Sequence, residues 1–115
     1  MKITVQSIRF NADKKLLDFI QKKVDKLDTF YDQIINGEVY LRLENVEDEA
    51  NKVTEIKLNL PGIQLFAKEQ CKTFEEATDL SVESLRKQIG KHKQKKAIVA
   101  EAAKKAVLLA AEDTF

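Results

Sequence analysis

Apolar residues recur along this chain in two rhythms, and the switches between them outline six elements. Ile3 and Val5 alternate with Thr4 and Gln6 over residues 2–8, the two-residue period of a strand with one buried face. Behind Asn11 and Asp13, either of which can cap a helix, Leu16, Leu17, Ile20, Val24 and Leu27 recur at helical spacing and predict a helix reaching about Asp28. Phe30, Tyr31 and Ile34 lead into Asn36-Gly37, which reads as a turn, and alternation returns over 38–46 with Val39, Leu41 and Leu43 inward and Tyr40, Arg42 and Glu44 outward. A polar loop at 47–52 precedes a third strand over 53–60, with Ile56, Leu58 and Leu60 inward and Glu55, Lys57 and Asn59 outward. Pro61-Gly62 predicts a tight turn, because proline presets φ at one central position and glycine accepts positive φ at the next. A fourth strand over 63–70 follows, with Ile63, Leu65 and Ala67 inward.

The last element is the most informative. Thr73 and Glu76 have capping-box spacing, and Phe74, Ala77, Ser81, Leu85 and Ile89 then form one apolar stripe. At about 100° per residue, Arg86, Lys87, Lys91 and Lys93 fall away from that stripe, and Lys95 and Lys96 continue beyond it. No acidic residue lies between Arg86 and Lys96. Each element has a single apolar face, so two layers suffice. The expected fold is an α+β two-layer βαβββα sandwich: a four-stranded mixed sheet with two helices on one face, strands one and two parallel, and the rest an antiparallel meander.

The 115 residues, 43% hydrophobic, are enough for one core and one domain. Net charge is only +1, so affinity for a polyanion must come from uneven distribution of charge. The distribution is uneven. Glu38, Glu44, Glu47, Asp48, Glu49 and Glu55 crowd the middle of the chain, while cations crowd the second helix and part of the first. Single Cys71 and His92 residues form neither a disulfide nor a zinc set, and Cys71 reads as a small buried or strand-end residue. No apolar run resembles a signal peptide or reaches the roughly 20 residues of a membrane span, so a soluble, cytoplasmic chain without membrane contact is expected.

Two readings of the cations compete. Lysines near a helix C-terminus oppose the macrodipole for about 0.3 to 1 kcal/mol each, which accounts for two or three of them. Six with no intervening acid instead suggest a nucleic-acid surface. Lys15, Lys22 and Lys26 sit within about 40° of one another around the first helix and can join that surface, although Asp18 and Asp25 are available as partners in weak exposed pairs. The open sheet face is a poorer RNA platform: it offers Tyr40 and Phe66, shared with Glu44 and Glu55, where base stacking needs two or three aromatics. Phe66 also reads as a protein contact or a solitary surface residue. Phosphate-cradle, nucleophile-elbow, zinc-protease and dinucleotide motifs are absent, and Asp79 and Glu83 have no histidine nearby in sequence. Neither an enzyme nor a small-molecule substrate or cofactor is expected.

The run FEEATDLSVESLRKQIGKHKQKK, preceded by PGIQLFAKEQCKT, resembles the last strand and second helix of the ribosome hibernation promoting factor and ribosome-associated inhibitor family. Phe74, Ala77, Asp79, Leu85, Gln88, Ile89, Lys91, His92 and Lys93 match its motif residue by residue, and LLDFIQKKVDKLDTFYDQI resembles its first helix and following turn. The resemblance covers residues 1–96 and is to the short form. It implies a stationary-phase or stress factor, with 1–96 a ribosome-binding domain that docks on rRNA and proteins of the small ribosomal subunit, in the channel for messenger and transfer RNA, and silences translation by occupancy. Lys22, Lys23, Lys26, Arg86, Lys87, Lys91, Lys93, Lys95 and Lys96 would then neutralise rRNA phosphates, contacts that position without reading bases. His92, which the motif matches, is counted with them, although the residues alone make it a helix-end packing group.

Thr78 and Ser81 depart from the family pattern by being polar, which predicts looser packing there, and Gly90 costs about 1 kcal/mol of helix propensity. The chain is too short for the C-terminal domain of the long members, so no dedicated dimerisation domain is expected. Its alanine-rich segment 97–115 has three readings: an extension of the second helix, disorder until bound, or a small dimer contact. Two other functions stay open, a general double-stranded RNA-binding module and a protein-interaction or oligomerisation module using Phe66 and the tail.

Overall fold

The structure, a computed structural model, describes the backbone of residues 1–44 and 49–113 and the side chains of these residues through Gln94. The elements follow in the expected order: β1 (Lys2–Ile8), α1 (Lys14–Asp25) continued by a 3-10 turn (Lys26–Thr29), β2 (Asn36–Leu43), β3 (Lys52–Leu60), β4 (Ile63–Cys71) and α2 (Phe74–Asp113). The strands lie in sequence order, with β1 parallel to β2 and the other pairs antiparallel.

Local chemistry accounts for the element ends. Asp13 caps α1, its Oδ1 accepting from the Leu16 amide at 2.8 Å. Thr73 Oγ1 accepts from the Glu76 amide at 3.1 Å and starts α2. Gly62 takes φ of +78° in the turn joining β3 to β4, a conformation a side chain would strain.

The core lies between one face of the sheet and both helices. Val39, Leu41, Ile56, Leu58, Leu65 and Ala67 all project from that face onto Leu16, Ile20 and Val24 of α1 and Leu85 and Ile89 of α2. α2 covers β3 and β4, and α1 packs along its side over β1. Ala77, Ser81, Leu85 and Ile89 are buried and Phe74 is half-buried, stacked on Phe10 with ring centroids 5.1 Å apart. Cys71 is buried at the end of β4, and burial, with Glu76 and Glu69 nearby, pushes its thiol above the ordinary value.

Several expectations are corrected. Asn36-Gly37 is not a turn but the start of β2, paired in register with Lys2 and Ile3. Its glycine answers to packing: a Cβ there would lie 3.3 Å from Leu58 Cδ2 and 3.4 Å from Met1 Sδ. The first α-helix ends at Asp25, three residues short of the expected end, and the chain tightens into the 3-10 turn that still buries Leu27. β2 ends at Leu43, and the expected strand positions 45 and 46, with part of the polar loop, lie outside the described residues. Leu43 and Ile63, expected inward, are 49% and 42% exposed at strand ends. Thr78 and Ser81 are fully buried. Ser81 donates a long 3.5 Å bond to the Thr54 carbonyl, while the Thr54 and Thr78 hydroxyls have no protein partner among the described residues.

Candidate RNA interface on the helical layer

Packing both helices on one face of the sheet brings two basic segments side by side. Lys22 is exposed on the last turn of α1, and Lys26, also exposed, is its C-cap and the first residue of the 3-10 turn. Lys87 and Lys91 are exposed on α2, four residues and therefore about 40° apart around its axis. The side chains of Lys22, Lys26 and Lys91 make no ion pair or hydrogen bond among the described residues. Lys87 makes none either, but lies close enough to help lower the Glu83 carboxyl.

Lys23, Arg86 and Lys93 have internal partners. Lys23, half-buried on α1, places Nζ 3.1 Å from Asp79 Oδ1 on α2 and 5.5 Å from the Phe19 ring. Arg86 grips Glu83 with two bonds, Nε to Oε2 at 3.1 Å and Nη2 to Oε1 at 2.7 Å, and sits 5.8 Å from the Phe30 ring centroid. Lys93 Nζ donates to the Phe30 carbonyl at 2.7 Å. His92 is half-buried, meeting the Tyr31 ring edge-on at 5.8 Å. The side chains of Lys95 and Lys96 lie outside the described residues, although α2 itself continues through them to Asp113.

The sequence therefore overstated the freedom of Lys23 and Arg86: the stretch after Arg86 lacks acids, but Asp79 and Glu83, one to two turns earlier, reach back. Arg86 holds the Glu83 carboxyl below the usual carboxylate range, with Lys87 contributing less. Both pairs are between groups open to water, which screens their attraction, so a competing phosphate can displace the acid. One contributor was missed, and another was noted only as a motif match. Phe30, treated as a lead-in to the second strand, is the hub that Arg86 and Lys93 share, and its aromatic neighbour Tyr31 was the available signal. Gln88 fastens α2 to the sheet edge, Nε2 donating to the Phe66 carbonyl at 2.8 Å and to Ser84 Oγ at 3.2 Å. At Gly90, apart from the helix's own neighbouring backbone, nothing among the described residues lies within 4 Å of where a Cβ would be.

The opposite face of the sheet is arranged differently. Arg42 bridges Glu44 (3.0 Å) and Glu55, Lys68 approaches Glu55 at 3.9 Å, and Lys57 lies 5.4 Å from the Tyr40 ring. Arg42, Lys68 and Lys57 are thus matched by acids and an aromatic, while Phe66 is 45% exposed with no stacking ring beside it among the described residues. Among the described residues no three His, Cys, Asp or Glu side chains gather as a metal ion would require, and no helix is long and apolar enough to cross a membrane.

Residues 3–97 match the family described as Sigma 54 modulation protein / S30EA ribosomal protein. The chain belongs to this family. A ribosome hibernation promoting factor of Pseudomonas putida is 23% identical over 95 residues, 83% of this chain and 89% of that one. The ribosome hibernation promotion factor of Bacillus subtilis is 25% identical over 95 residues, 83% of this chain and 50% of the longer relative. A ribosomal subunit interface protein from Coxiella burnetii has the same fold, with a TM-score of 0.73 at 20% identity over 82% of this chain and 99% of that one. The N-terminal domain of Thermus thermophilus Protein Y gives 0.69 at 24% identity, over 80% and 99%. The resemblance drawn from the second helix to the hibernation promoting factors is thereby borne out, as is the βαβββα fold, which these solved structures share.

Proposed function

We propose that this chain is a ribosome hibernation factor that silences translation by docking residues 1–96 on the small ribosomal subunit, in the channel for messenger and transfer RNA. What supports the reading, beyond membership of the family, is one observation: Lys22, Lys26, Lys87 and Lys91 are exposed on two helices of the same layer and are in no ion pair among the described residues. Lys23 and Arg86 join them by exchanging weak acidic partners for phosphate, Lys93 joins through the two donors its bond to Phe30 leaves free, and Lys95, Lys96 and His92 extend the set along α2. Lysine and arginine contacts to phosphate fix position and orientation without reading sequence. Recognition then rests on the shape of folded rRNA meeting a rigid two-helix platform.

Sucrose-gradient sedimentation of the purified protein with small subunits tests this. With about six to nine phosphates neutralised, affinity falls by about three decades or more between about 50 and 200 mM salt. Protein that stays at the top of the gradient at low salt overturns the proposal. Equal binding to free duplex RNA and to subunits would point instead to a general double-stranded RNA module. Binding that is indifferent to reversal of Lys87 and Lys91 would point to a protein-interaction module.

A further inference from the structure

We propose that the cleft beside Phe30 takes one unstacked RNA base, guanine above the others. The inference rests on the docking reading and states what the site recognises beyond phosphate. The loop after α1 and Lys93 of α2 surround an open cleft of about 380 Å³, lined also by Asp28, Phe30, Tyr31 and Asp32. Phe30 is held at its backbone on both sides, its amide donating to the Leu27 carbonyl at 3.1 Å and its carbonyl accepting from Lys93. Phe30 is nevertheless 42% exposed, and the Arg86 guanidinium lies over one face of its ring, 5.8 Å from the centroid. An exposed ring on an anchored backbone, with a cation over one face, offers its other face to a splayed base, and RNA bases are recognised in loops and bulges where they can be splayed.

The acids decide between base and phosphate. Asp28 is occupied, its carboxylate 2.5 Å from the amino group of Met1, but the Asp32 carboxylate makes no ion pair or hydrogen bond among the described residues. A free carboxylate repels phosphate, so this cleft differs from the lysine surface around it. A base is neutral, and one with N–H groups on its Watson–Crick edge suits a carboxylate acceptor. Guanine presents two adjacent donors there, N1–H and the N2 amino group, matching the two carboxylate oxygens, whereas uracil presents one. Lys93 has one donor committed to the Phe30 carbonyl and two left for the phosphate flanking the stacked base.

Fluorescence anisotropy with the full chain tests this, using fluorescein-labelled single strands r(UUGGUU) and r(UUUUUU) and inorganic polyphosphate as competitor. The expected result is a preference for r(UUGGUU) of about fivefold or more, and a loss of about tenfold in its affinity on Phe30→Ala, the weak end of what one base–aromatic stack contributes. Phe30→Leu, apolar but without a ring, shows the same loss and controls for folding, Asp32→Asn reduces the guanine preference, and Lys87→Glu weakens both RNAs by a common factor. Equal or undetectable binding of the two RNAs by the native chain, or a Phe30→Ala protein that binds like the native one, overturns the proposal. So does polyphosphate that displaces r(UUGGUU) from the native and Phe30→Ala proteins with the same midpoint. Sedimentation with small subunits, run in parallel, separates the two readings. Native protein that sediments while the oligonucleotides go undistinguished sinks the base cleft alone, and failure to sediment with the guanine preference intact sinks the docking alone.

Discussion

The two faces of this small sandwich carry similar side chains to opposite ends. On the open face of the sheet Arg42 bridges two glutamates and Lys68 shares one of them, so charge is spent holding neighbouring strands in register. On the helical face Lys22, Lys26 and Lys91 point into solvent with no such partner among the described residues, and Arg86 and Lys93 converge on a half-exposed aromatic. Composition does not separate the faces; the arrangement of partners does. A cation already satisfied by a neighbouring carboxylate gains little from a phosphate, whereas one left in solvent releases counterions when it meets one.

The contrast breaks most directly by charge reversal. Lys87→Glu with Lys91→Glu is expected to weaken subunit binding about a hundredfold at low salt, because two charge-assisted bonds to phosphate disappear, while Lys57→Glu on the open face leaves it unchanged; gradient sedimentation reads both. Conversely, Arg42→Ala is expected to cost about 1 to 2 kcal/mol in thermal unfolding, since it strands Glu44 and the half-buried Glu55, and to leave subunit binding intact. Gly90→Ala separates shape from charge on the helical face. The space around it is open, so α2 gains about 1 kcal/mol and the unfolding temperature rises by about 4 °C, with sedimentation unchanged. A loss of binding would mean that rRNA packs against the bare backbone there.

The smallest effect concerns the one cation of the helical face that is doubly bonded to an acid among the described residues. Glu83→Gln frees Arg86 and is expected to raise subunit affinity about threefold, the scale of an exposed ion pair. Arg86 holds the Glu83 carboxyl below its ordinary value, so the charge pair persists above that value and is lost only as pH falls through the depressed one. The gain from Glu83→Gln should accordingly be flat from neutral to mildly acidic pH and vanish in stronger acid; a gain that changes near neutrality would show that another group governs Arg86.

Periodicity, caps and turn residues were enough to foresee six elements, the two-layer architecture and the buried stripe from Ala77 to Ile89, because these depend on neighbours within a turn or two of chain. They misled where a distant partner decides. Asn36-Gly37 has turn chemistry, yet parallel pairing with β1 and the close approach of Leu58 draw it into a strand. The basic run after Arg86 was visible, but the pairing of Lys23 with Asp79 was not, since those residues meet only when α1 and α2 pack together.

What the order of residues determined by itself is which segments become helix or strand and which of their sides is apolar, since burying each stripe against another is the way to remove it from water. What the folded arrangement alone decided is which charges have company. Coulomb attraction and hydrogen bonding act over a few ångströms, and residues as far apart in sequence as Phe30 and Lys93 are within that distance only after the helices are laid side by side on the sheet.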